Sequence, residues 1–391
     1  MFLLNERFLG LILLLISTLV TTIVSIAWFR FKTLNPGRIA QLIELEMDQL
    51  SNNRQRSLID DKELWNDLDP IPQVDSERPM VQIVYSTKYR RAMEIFRALL
   101  KRNEHSERAL LLTTEILKSN PSHYPVWTYR LQILKGLNSS NPDGNHLRKE
   151  LKFLSKVMPQ IRKSFQAWTH RFSIVLLIND PSDELEFVNS ALECDYKNYH
   201  SWTYRQNLLY TFKRPEMWEG ELDFITDLIE KDLRNNSAWN HRFFISFESF
   251  KIREHDKEFL SSSDVLDSVV QREIQYTKDQ IFKSPNNPSA WNYLRGVLKR
   301  GSVSFNDLRD FVIPLTKRRE ELELMGWPEE LNLQSQLPAV GAVEFLADIY
   351  LLDQKQSQSA NDLFKLLAEE LDPIRKNYWS YRSKTSFSLS S

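Results

Sequence analysis

The chain has 391 residues, 42% apolar and 26% charged, with a formal net charge of −1. These values exclude a wholly disordered chain and, lacking any basic excess, a general nucleic-acid binder. A single cysteine, Cys194, excludes an internal disulfide and a cysteine-rich zinc site, so zinc chemistry would need His and carboxylates or a second chain.

Only nine glycines occur, well below the usual share of about 7%. Sheets and phosphate loops need glycine at their turns, so the composition points to helices. In chain order, the first element is an uncharged apolar run, Phe8 to Phe29. As a helix it spans about 33 Å, enough to cross a bilayer core. Arg30, Lys32 and Arg38 follow it, while Glu6 and Arg7 precede it. That asymmetry places the main domain on the cytosolic side. Two readings of residues 1–46 stand side by side: a membrane anchor, or a translated upstream stretch before a functional start at Met47.

The tryptophans organise the rest. Trp127, Trp168, Trp202, Trp239 and Trp291 sit in HYPVWTYR, SFQAWTHR, NYHSWTYR, NNSAWNHR and NPSAWNYLR. A period of roughly 34 to 47 residues is the mark of stacked helix pairs. Each unit opens with an amphipathic stretch such as Ala109–Leu117, breaks at a polar turn, and starts a second helix at the Trp. Asn, Ser and Pro before the Trp supply an N-cap and a first turn. Arg130, Arg171, Arg205 and Arg242 each follow their Trp by three residues and share its face. A buried arginine there must meet carboxylates or carbonyls. These Trp and Arg residues are expected mainly to hold the repeats together. The fifth unit departs, with Leu294 in place of Arg and Arg295 one residue later. Asn138–His146 and a polar segment around Glu254–Asp264 read as surface loops, and 383–391 as a disordered Ser-rich tail.

These units resemble the repeat of protein prenyltransferase α subunits. The opening is more specific: Trp65–Gln73 with Val81–Ser86, then Phe96–Lys101 with Ser106–Ala109, is similar to the subunit shared by farnesyltransferase and type I geranylgeranyltransferase. The resemblance runs from about Asp61 to Arg382. It implies an all-α fold, a right-handed α-α superhelix of stacked helical hairpins like the tetratricopeptide crescent, over residues 47–382. It implies a β subunit as partner, carrying the zinc, with magnesium accompanying the diphosphate. The implied substrates are an isoprenoid diphosphate and the cysteine of a protein C-terminal CaaX motif, in a cytoplasmic complex. The resemblance does not cover residues 1–46.

Five residues before their Trp stand Lys163, Lys197 and Arg234. Lys163, in IRKSFQAW, matches the family lysine that contacts the diphosphate. Gln166 matches a glutamine that binds the peptide carboxylate, a task an amide suits because it donates without charge. Tyr199 and His200 match residues near the diphosphate and substrate. Phe165 departs from the family tyrosine, leaving stacking without a hydroxyl. No metal ligands are expected on this chain. No Walker A loop, Gly-x-Gly-x-x-Gly, His-Glu-x-x-His or Gly-x-Ser-x-Gly occurs. Two alternatives remain: the α subunit of the Rab-specific enzyme, and a non-catalytic helical scaffold.

Overall fold

Five helices in this chain begin where a side chain takes the backbone N–H groups that a first turn leaves free. Ser86, Ser106, Ser164, Asn198 and Asn287 all cap in this way. The computed structural model describes residues 58–74, 80–81, 83–142, 145–253, 262–326, 331, 336–353 and 356–388. The candidate membrane span 8–29 and the alternative start at Met47 lie outside them. Among the described residues no helix is long and apolar enough to cross a membrane. Helices form the fold, and no strand occurs among the described residues.

The chain divides into two units at Asn120/Pro121. In the first, α1 (Thr87–Arg102) packs on α2 (Glu107–Ser119). The segment before them is tied to both helices. Trp65 is buried and donates from Nε1 to Leu58 O at 2.9 Å. Arg97 Nε donates to Ile71 O at 2.7 Å. Arg108 grips both Asp67 and Glu104, and also reaches Leu64 O. Its hydrogen bond to Asp67 holds that carboxyl far below the usual carboxylate range.

The second unit carries α3 (Tyr124–Ser140), α4 (His146–Ile161), α5 (Phe165–Ile178), α6 (Glu184–Cys194), α7 (Tyr199–Phe212) and the short α8 (Pro215–Trp218). It continues with α9 (Glu221–Lys231), α10 (Asn236–Arg253), α11 (Ser262–Lys283) and α12 (Pro288–Arg300). Helices α4–α5, α6–α7, α9–α10 and α11–α12 pair as hairpins. The second helices also pack in sequence, α3 on α5, α5 on α7, α7 on α10 and α10 on α12. Each contributes a repeat tryptophan that is nearly fully buried.

Two recurring polar nodes set the register of this stack. The first is a loop carbonyl that takes two bonds. Trp127, Trp168, Trp202 and Trp239 donate from Nε1 to the carbonyl six residues back, at Pro121, Arg162, Tyr196 and Leu233. The N-cap side chain of the following second helix donates to that same oxygen: Ser164 to Pro121, Asn198 to Arg162, Asn235 to Tyr196 and Asn287 to Leu233. Each repeat is thus joined to the next through a backbone atom and a helix cap.

The second node is ionic and buried. Arg130, Arg171, Arg205 and Arg242 pair with Glu150, Glu184, Glu221 and Glu273 on the first helix of the following hairpin. All eight are buried. The residue two after the next Trp completes each node. His170 and His241 reach Glu150 and Glu221 at 2.9 and 3.0 Å, and Tyr204 and Tyr293 donate to Glu184 and Glu273 at 2.5 and 2.7 Å. Each guanidinium also lies over a ring one turn beyond its glutamate, on Phe153, Phe187, Phe224 and Tyr276. A charge taken from water survives only when paired and hydrogen-bonded on all sides, and these nodes meet that condition.

The nodes carry a pH dependence. Burial opposes charge on Glu150, but Arg130 and His170 outweigh it and hold the carboxyl at about 2. Burial is likewise outweighed at Glu221 by His241 and Arg205, and at Glu273 by Arg242 and Tyr293, so both carboxyls are lowered. Burial pushes His170 and His241 down, against the pull of the same glutamates. A lowered histidine stabilises the fold above its unfolded value of about 6.5, and a lowered carboxyl above about 4.3. In both cases the unfolded chain binds more protons, so stability falls as pH drops. The denaturant midpoint is therefore expected to be lower at pH 4.5 than at pH 7, and equal midpoints would contradict these assignments.

Past Trp291 the pattern changes, as Leu294 foreshadows. Arg295 pairs with Asp348 and Glu344 on α15 (Val340–Leu351), after two short helices, α13 (Arg309–Leu315) and α14 (Arg319–Met325). A Cβ on Gly341 would come within 2.3 Å of the Trp291 ring, so the glycine lets α15 lie against it. Two more helices, α16 (Ser357–Leu366) and α17 (Lys376–Ser388), close an apolar cluster around Val343, Ala347, Phe364 and Trp379. Here two sequence expectations change. The expected tail from 383 is helical through Ser388, and Ser383 Oγ lies 2.9 Å from Asn361 Oδ1. The expected loop from Asn138 begins later, because α3 continues through Ser140. Of the other insertion, 254–261 lies outside the described residues, and α11 begins at Ser262.

Candidate functional site

Because the second helices pack side by side, the starts of α3, α5 and α7 form one row. At the first helical position each carries an exposed aromatic: Tyr124, Phe165 and Tyr199. The buried Trp three residues on fixes each turn, leaving these rings outside. Asn198 Oδ1 accepts from His200 N at 2.9 Å and so sets the half-buried His200 at the head of α7. Its imidazole lies 6.3 Å from the Phe165 ring and 5.6 Å from Tyr199, centre to centre. Phe165, Tyr199 and His200 therefore come together across two repeats.

Gln166 shares the first turn with Phe165. It is half-buried, and its Oε1 lies 3.2 Å from Ser164 Oγ. Lys163 is exposed in the loop just before α5. It lines a cavity of about 380 Å³ together with Ser122, Gln160, Arg162 and Ser164. The backbone here is fixed, since the carbonyls of both Pro121 and Arg162 take part in the nodes described above. A cation beside a helix N-terminus adds to the positive end of the helix dipole, an arrangement suited to an anion.

The three aligned cations differ in state. Lys197 Nζ pairs with Asp232 at 3.0 Å, which raises the lysine and lowers the carboxyl. It also lies 5.3 Å from the centre of the Tyr196 ring. Lys163 forms no ion pair among the described residues, so its charge is uncommitted. Arg234 is exposed. Among the described residues no group of three or more His, Cys, Asp and Glu side chains could hold a metal ion.

Three features escaped the sequence reading. Asp232 is one, and Arg162 beside Lys163 is another. The third is the glutamate partner of each arginine. A signal for it exists: Glu150-Leu-Lys-Phe153, Glu184-Leu-Glu-Phe187, Glu221-Leu-Asp-Phe224 and Glu273-Ile-Gln-Tyr276 are four copies of one pattern.

The protein prenyltransferase alpha subunit repeat family matches residues 106–137, 181–212, 218–248 and 270–301. The α subunit of protein farnesyltransferase/geranylgeranyltransferase type-1 from Candida albicans is 35% identical over 333 residues, covering 83% of this chain and 98% of the relative. A solved Candida albicans protein geranylgeranyltransferase-I complexed with GGPP matches with a TM-score of 0.67 at 33% identity, over 82% of this chain and 98% of that one. The geranylgeranyl transferase type-2 α subunit of Saccharomyces cerevisiae is more distant, at 25% identity over 70% of this chain and 84% of the relative. The likeness agrees with the all-α superhelix of stacked hairpins expected from the repeat.

Proposed function

The chain belongs to the family of protein farnesyltransferase/geranylgeranyltransferase type-1 α subunits, and from that premise we propose that its row of helix starts completes the active site of a heterodimer. In this reading a cysteine thiolate of a CaaX C-terminus attacks C1 of an isoprenoid diphosphate. The carbon–oxygen bond breaks and the diphosphate leaves with the electron pair. The β subunit supplies the zinc that favours the thiolate, and magnesium accompanies the diphosphate. The complex works in the cytoplasm. The type-2 reading is less favoured, because the type-2 relative is the more distant.

This chain's own part is electrostatic and positional. Lys163 meets the charge that grows on the leaving oxygens, a contact that strengthens as the bond breaks. Gln166 turns its amide N–H groups to the peptide carboxylate. Tyr199 offers a hydroxyl and His200 an imidazole at the edge of the same site. Phe165 offers only a ring face, which suits the isoprenoid chain or the His200 ring it already touches.

The observation that carries the reading is Lys163: an uncommitted cation, on a loop whose backbone is held, lining a cavity whose wall includes no carboxylate. The test is co-expression with a family β subunit. The chain alone is expected to bind no stoichiometric zinc and to turn over nothing, and the heterodimer to prenylate a CaaX peptide. Zinc and turnover in the isolated chain would refute the division of labour.

A further inference from the structure

Arg162 stands next to Lys163, exposed on the same cavity wall. Neither forms an ion pair among the described residues. At the same two places the other repeats carry Pro121–Ser122, Tyr196–Lys197, Leu233–Arg234 and Pro285–Asn286. Adjacent cations occur in one repeat of the five, and that repeat falls in the stretch 138–180 left unmatched by the family repeat.

The loop cannot relax to separate them. Arg162 O accepts from Trp168 Nε1 at 2.8 Å and from Asn198 Nδ2 at 3.2 Å. Ser164 N donates to Ile161 O at 2.8 Å, and Ser164 Oγ donates to Pro121 O at 3.2 Å. Two like charges on a fixed backbone repel, and an anion with several acceptor oxygens relieves the repulsion. The types are complementary: arginine presents a planar fork to phosphate oxygens, and lysine a compact point charge. Ser122, Gln160 and Ser164 add neutral polar groups around them.

We propose that Arg162 is a second cation of the diphosphate site beside Lys163, holding the terminal phosphate of the isoprenoid diphosphate. The proposal rests on the transferase reading above. As the sulfur–carbon bond forms and the C1–oxygen bond breaks, the electron pair leaves with the diphosphate. The thiol proton has already passed to solvent. Arg162 holds the terminal phosphate while Lys163 meets the oxygen that is being released.

The test uses the assembled heterodimer and inorganic diphosphate as inhibitor. Arg162→Gln is expected to raise the inhibition constant about three- to tenfold, the effect of one partly exposed charge contact. KM for the isoprenoid diphosphate should rise in parallel and KM for the peptide should hold. Arg162→Lys should recover much of the loss. An unchanged inhibition constant in an active Arg162→Gln heterodimer overturns this role of Arg162 alone. So does weakened pairing with the β subunit at an unchanged constant, which would assign Arg162 to a carboxylate of the partner. An inactive wild-type heterodimer overturns the transferase reading and this inference together.

Discussion

Glu221→Ala is expected to destabilise the folded chain by about 3–5 kcal/mol, the cost of leaving a buried charge without its partner. Arg205 and His241 both lose their acceptor, and both are buried. Arg205 retains Asn189 Oδ1 at 2.7 Å, which satisfies one N–H but none of the charge. Glu221→Gln should cost less, because an amide oxygen still accepts while the guanidinium stays uncompensated. The comparison is Glu323→Ala. Its pair with Arg319 is long, at 3.7 Å, and open to solvent on both sides. Such a pair contributes under about 1 kcal/mol. Denaturant unfolding of the three variants measures the difference. If Glu221→Ala cost no more than Glu323→Ala, the buried nodes would not be what holds neighbouring hairpins together.

Lys163→Ala is expected to lower turnover of the heterodimer by about 2–4 kcal/mol in barrier height, the range seen when one transition-state donor is removed. That corresponds to roughly 30- to 1000-fold in rate. Pairing with the β subunit and thermal stability should stay near wild type, because Lys163 is exposed and bonded to nothing that holds the stack. Lys197→Ala is the informative comparison. It occupies the same place one repeat later, but its charge is committed to Asp232. A smaller loss of rate is expected from it. Single-turnover measurements at saturating substrate separate chemistry from binding. Lys163→Ala at more than half the wild-type rate would remove the lysine from the reaction.

The repeats were legible in the sequence because each rests on a local pattern. A Trp four positions into a helix, an Arg one turn later and a cap before them recur at readable spacings. The arginines were expected to meet acceptors, and they do. Which acceptors was not evident from the Trp motif alone, because the separation from Arg to Glu is 20, 13, 16 and 31 residues. The Glu-x-x-aromatic pattern repeats, but only packing shows that it answers the arginine of the preceding hairpin. At the site, Phe165, Tyr199 and His200 come together because adjacent helix starts lie a helix width apart. Spacing along the chain does not reveal that Lys197 is neutralised while Lys163 is not. That difference depends on a rotamer reaching Asp232 in the next repeat. The helical end at Ser388 was also hidden, since a run of serines carries no apolar periodicity and its support comes from Asn361 on another helix.

One regularity in the nodes separates what can vary from what cannot. From each glutamate to the His or Tyr that completes its node, the count is 20 in all four repeats. From arginine to glutamate it varies more than twofold. Both segments turn one helix into the next, but at opposite margins of the stack. The invariant one passes through the margin where Lys163, Gln166, Tyr199 and His200 sit. One residue inserted there would turn the following helix by about 100°, carrying its aromatic partner away from the glutamate and its Trp out of the core. At the other margin the separation runs from 13 to 31 residues while the row of helix starts keeps its order. Within this one chain the stack therefore accommodates unequal connections at one margin, while the row of helix starts at the other keeps a single register from repeat to repeat.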